Sequence, residues 1–185
     1  EVLDVDGAWV MPGLIESHAH IGITEEKWGI IGDDSNEQTN PVTPTLRAID
    51  AVNPMDSAFH DAIAAGITSV MAGPGSANVV GGQFVFMKTQ GRCIDNMIVR
   101  FPAAMKVAFG ENPKTCYGDN GCYPSTRMAT AAMLRKVLYQ AKQYEAEKIK
   151  NRERFSAELF FKRHQKTIKK IFARQISLIK YMFII

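Results

Sequence analysis

Apolar and polar positions along the chain fall into blocks whose period changes. Val2-Leu3-Asp4-Val5 and Ala8-Trp9-Val10-Met11 flank Asp6-Gly7, which predicts a tight two-residue hairpin. A hairpin alone is marginal in water, so this one needs a neighbour. Leu14-Ile15 reads as a buried strand. Thr24 to Val52 is a long polar connection with Trp28, Pro41 and Pro44, and loops of that length are usually functional or disordered. Asn53-Pro54 predicts an N-cap with proline in the first turn, and Gly66 a stop; between them Met55, Ala58, Phe59, Ala62 and Ile63 keep helical spacing. Residues 67–72 predict a strand ended by Gly73-Pro-Gly75. Strand, helix, strand makes one βαβ unit and implies a parallel sheet. Further strands are expected at 84–88, 97–101 and 103–109. Ser125 predicts the cap of a helix through Met128, Ala132, Leu134, Val137, Leu138 and Ala141 to Lys150, increasingly charged towards its end.

Composition adds one qualification. With 46% apolar and 22% charged residues, 185 residues can build one domain with a real core. The net charge of +3 hides a split, because residues 152–185 carry nine Lys and Arg against two Asp and Glu. The remainder is net acidic, so the basic balance says nothing about the body of the chain. No apolar run reaches the roughly 18–20 residues of a membrane span. Glu1 opens strand-like text without a basic region before an apolar core, so no secretory signal is expected and the cytoplasm is the expected location. Cys93, Cys116 and Cys122 lack paired spacing and read as reduced thiols.

The chemistry concentrates in Met11-Pro-Gly-Leu-Ile-Glu-Ser-His-Ala-His-Ile-Gly22. Side chains alternate along a strand, so His18 and His20 point the same way. Their two-residue rise of roughly 6.6 Å lets converging rings share an ion. Residues 73–82 lack the G-x-G-x-x-G order and the lysine of a phosphate loop, which argues against a nucleotide site. Those glycines either let backbone approach a substrate, with Ser76, Asn78 and Gln83 as polar contacts, or form a plain turn. Asp33, Asp34 and Glu37 lack ligand spacing and read as a solvated acidic loop, and His60 as a surface or boundary residue.

Pro12-Gly-Leu-Ile-Glu16 followed by His18-x-His20 resembles the first-strand signature of the metal-dependent amidohydrolase superfamily. Residues 41–50, 73–78, 81–83 and 105–113 resemble its imidazolonepropionase-related branch, and the likeness covers about residues 1 to 150. Glu16 departs from the Asp usual there. The resemblance implies an α/β fold, a partial TIM (β/α)8 barrel over 14–151 with residues 1–13 as the remnant of an N-terminal β-sandwich. It implies hydrolysis of a carbon–nitrogen bond in an amide or cyclic amide by metal-activated water. His18 and His20 would bind a divalent metal, zinc by preference for imidazole-rich sites. A bridging carboxylate would come from Glu111 or from a carboxylated Lys106. Against those roles, Lys106 can also be a snorkelling lysine and Glu111 a loop charge. The implied partner is a small molecule, with neither nucleic acid nor membrane span, and an oligomer is compatible.

Past about Arg152 the text turns rich in Lys, Ile and Phe and the resemblance stops. Two readings stand for 152–185: out-of-frame or truncated coding sequence, or a basic amphipathic helix that lies on membranes or a partner. A (β/α)8 barrel typically takes about 250 residues, and the later histidine ligands and final-strand aspartate of the superfamily have no counterpart here. The competing expectation is therefore a catalytically inactive fragment, unstable or partner-dependent.

Overall fold

A computed structural model of the chain describes residues 2–150. It shows a mixed α/β architecture. Strand β1 (Leu14–Ala19) and strand β2 (Ile67–Ala72) pair in parallel, with Leu14 opposite Ile67 and Ala19 opposite Ala72. Helix α1 (Ser57–Ala64) crosses between them. This is the βαβ unit that the sequence predicts. The helix starts later than expected, because Asn53 turns its side chain onto the Met55 N–H and the Glu25 carboxylate. Asp56 caps instead, accepting from the Ala58 N–H. Gly66 (φ 81°) takes the left-handed conformation that ends the helix, and its carbonyl accepts from Leu14. Of the expected apolar stripe only Phe59 is buried.

Beyond β2 the sheet is not parallel. Strands β3 (Val80–Gln83) and β4 (Val85–Lys88) follow β2 without an intervening helix, and a short return favours antiparallel pairing. Accordingly β4 pairs antiparallel with β2, and β5 (Ile98–Arg100), preceded by the single turn α2 (Ile94–Met97), pairs antiparallel with β4. The sheet order is β1-β2-β4-β5. A second, two-stranded sheet joins β3 to β6 (Met105–Val107), with Gly82 opposite Lys106. Among the described residues these sheets form no closed barrel.

Two apolar clusters hold the layers. Phe59, Val70, Val85, Met87 and Met97 fill the space under the larger sheet. Val79, Val80 and Met105 meet Val137 and Ala141 of helix α4 (Arg127–Lys150). Helix α3 (Glu111–Gly118) precedes α4. Thr126, one residue after the expected Ser125, accepts from the Ala129 N–H at the start of α4. Asp6 and Gly7 form the expected turn, with the Ala8 N–H on the Val5 carbonyl, but no strand ladder flanks it, and Val2, Leu3, Trp9 and Val10 are exposed. The three cysteines are free thiols. Among the described residues no helix is long and apolar enough to cross a membrane. Residues 152–185, with both readings placed on them, lie outside the described residues.

Candidate functional site

The carboxyl end of β1 carries His18, and His20 follows directly after its last residue, Ala19. Glu16 accepts the His18 backbone N–H through its own side chain. The rings of His18 and His20 lie 5.5 Å apart, centroid to centroid, with their planes at 85°. The Nδ1 of His20 sits 2.7 Å from the Gly73 carbonyl oxygen at the end of β2. A carbonyl only accepts, so Nδ1 carries the proton and the Nε2 lone pair stays free. Gly22 (φ 72°) then turns the chain out of the strand, where a Cβ would fall 2.8 Å from the Phe59 ring.

Lys106 arrives from β6, 88 residues further along, and its Nζ lies 3.4 Å from His18 Nε2. It is buried, and burial holds its amine below the ordinary lysine range. Burial also lowers the His18 pKa, with the Lys106 and His20 charges adding to it and Glu16 opposing. Both effects favour the neutral imidazole, the form that ligates metals. A cleft of about 350 Å³ opens beside His20, lined by Glu16, Thr24, Glu26 and Ala58.

The other candidates lie differently. Glu111 stands exposed in the first turn of α3, its carboxylate taken up by Lys114, Thr115 and Arg127. The Lys114 hydrogen bond leads the effects that lower its pKa. Asn78 is buried; its amide donates to Thr43 Oγ1 at 2.8 Å and its oxygen accepts from the Tyr117 hydroxyl. Burial leads the causes that push that phenol up to about 12. The buried Gln83 donates to the Pro44 carbonyl, tying residues 41–47 to β3, and Ser76 is half-buried. Asp33 serves Ser35 and Thr24, and Glu37 serves Thr39, as turn-forming carboxylates do. Among the described residues no group of three His, Cys, Asp or Glu is placed to hold a metal. The structure thus brings His18, His20 and Lys106 together and leaves Glu111 with cations of its own helix region.

Two contributors were not read from the sequence as site residues. Phe84 meets the His18 ring edge-on, and Gly73 supplies the His20 acceptor. Gly73 stood out as the end of a strand and among glycines that could let backbone approach a substrate, not as a partner of His20, and Phe84 only as an apolar position within a strand.

Reacting groups gather at the carboxyl ends of parallel strands in α/β enzymes, and this chain presents its imidazoles there. Known proteins agree at that level of class. No family model matches the sequence. Over 154 residues, 77% of this chain and 16% of the relative, it is 32% identical to the amidohydrolase tasK of Hapsidospora irregularis. The crystal structure of an amidohydrolase from Thermotoga maritima MSB8 matches with a TM-score of 0.81 and 38% sequence identity, over 94% of this chain and 47% of that one. The chain therefore spans about a sixth of the curated relative and about half of the solved one. These similarities support an amidohydrolase family and, in general terms, a hydrolase.

Proposed function

We propose that the chain carries the first-strand half-site of a metal-dependent amidohydrolase acting on the carbon–nitrogen bond of an amide or cyclic amide, an imidazolone-like ring by the branch that its sequence resembles. One observation carries this: His18 of β1, His20 just past its end and a buried amine from β6 come together, with 5.5 Å between the two ring centroids and 3.4 Å from Lys106 Nζ to His18 Nε2. The donor set fits a divalent cation in part, with a free lone pair on His20 and a His18 biased towards its neutral form. His18 and His20 would hold the ion, with Lys106 rather than Glu111 as the third arm. Zinc is the ion favoured for imidazole ligands; bound, it supplies a water of lowered pKa. We read the βαβ unit and its flanking strands as the first part of a TIM barrel.

Metal content after dialysis tests the site. We expect the wild type to retain divalent metal and the His18→Ala/His20→Ala double variant to lose it; equal occupancy in both overturns the assignment. A second reading, a chain without turnover that depends on a partner, is favoured by the ligand count. Two imidazoles and an amine fall short of the three ligands, drawn from His, Cys and carboxylates, usual for catalytic zinc. Tightly held metal together with amide hydrolysis by this chain overturns that second reading.

A further inference from the structure

We infer that Phe84 is the positioning residue of this site: its ring fixes His18 directly and His20 through Gly73, in register with the strand that carries Lys106. The functional meaning of the inference rests on the metal-site reading above; the positioning itself does not. Phe84 is 1% exposed and lies between β3 and β4. Its ring meets the His18 ring at 5.6 Å between centroids and 85° between planes. It also touches bare backbone. A Cβ built on Gly73 would fall 2.4 Å from both Cγ and Cδ1 of Phe84 and 2.6 Å from Cδ2, so the ring face is laid against Gly73 and only glycine fits there. The Gly73 carbonyl takes the His20 Nδ1 proton, and the Gly73 N–H donates to Ala19 in β1. The Phe84 backbone meanwhile donates to Ala104 at 2.9 Å and accepts from Ala103 at 2.8 Å, holding the approach to β6 two residues before Lys106. One residue therefore contacts the first imidazole, the peptide that orients the second, and the segment leading to the amine.

A residue that merely fills the core needs volume alone, and leucine would serve it nearly as well. Positioning needs the flat ring, because an off-axis branched side chain neither covers Gly73 nor meets an imidazole edge-on. The test uses the full chain with histidine labelled with nitrogen-15. In metal-free wild type, His20 is expected to show the pattern of the Nδ1–H tautomer. Phe84→Leu is expected to average the two tautomers of His20, and Gly73→Ala, which displaces the ring while keeping Phe84, to do the same. Val79→Ala, in the other apolar cluster, serves as the control for lost core stability and is expected to leave the pattern intact. A titration with Co2+ is expected to show about tenfold weaker binding in Phe84→Leu and no change in Val79→Ala. An unmoved His20 pattern in Phe84→Leu, or one that moves equally in Val79→Ala, overturns the inference. A moved pattern with equal Co2+ uptake in the wild type and in His18→Ala/His20→Ala leaves Phe84 a positioning residue and removes the metal-site reading instead.

Discussion

Lys106 holds an ionisable amine with little water around it, and no ion pair among the described residues includes it. Burying a charge without a counter-charge costs stability unless a function requires it. Lys106→Met keeps the shape and removes the charge, so it is expected to raise unfolding free energy at pH 7 by about 1 kcal/mol, measured by urea denaturation. The same variant is expected to weaken divalent-metal binding if Lys106 is the third arm. His18 adds a pH dependence. Its folded pKa lies below the ordinary 6.5, so between those two values the unfolded chain binds more protons than the folded one. Stability then rises with pH across that interval and falls as pH drops below about 6.5. Urea midpoints at pH 7.5 and pH 5.5 check this: the wild type is expected to lose more than His18→Gln over that step.

At the scale of elements, a cap and a glycine mark where local chemistry decides the structure. Asp56 caps α1 with one carboxylate oxygen, while the other is buried without a partner. Asp56→Ala is expected to cost about 1 kcal/mol, whereas Asp56→Ser keeps the cap, loses the orphaned oxygen and is expected to be neutral or better by thermal unfolding. At Gly82 (φ 138°) a Cβ would lie 2.8 Å from the Leu46 carbonyl, so Gly82→Ala is expected to destabilise by roughly 2 kcal/mol or more. These positions also show what the sequence could and could not reveal. The βαβ unit and the closeness of His18 to His20 were legible, because strand-forming and helix-forming periods bracket them. Strand β3 was not: Val-Gly-Gly-Gln has little strand propensity, and it pairs because glycine admits Lys106 and the Leu46 backbone at close range. The cap expected at Asn53 lies instead at Asp56, because the Asn53 side chain is engaged by Glu25 and the Met55 N–H, contacts that spacing does not reveal. Lys106 and Glu111 were undecided, since only the register of β6 against β3 turns one of them towards β1.

For the whole molecule, the described residues leave much apolar surface in water. Trp9, Val10, Met11, Leu14 and Ile15 are all exposed, and β1 is an edge strand. Exposed apolar edges promote self-association. Ile15→Lys is expected to lower the association seen in sedimentation velocity without changing the far-ultraviolet spectrum. The long segment after β1 behaves in the opposite way. Its stretch 41–47 runs beside β3 as an unofficial extra strand, held by Val80 on Pro41, Thr43 on Val80 and Gln83 on Leu46, with Asn78 and Tyr117 closing the ends. A protease that nicks the chain near the exposed Met55, between that stretch and β3, would therefore cut a covalent link without releasing anything. The two pieces should travel as one through a sizing column, and peel apart only when denaturant is added.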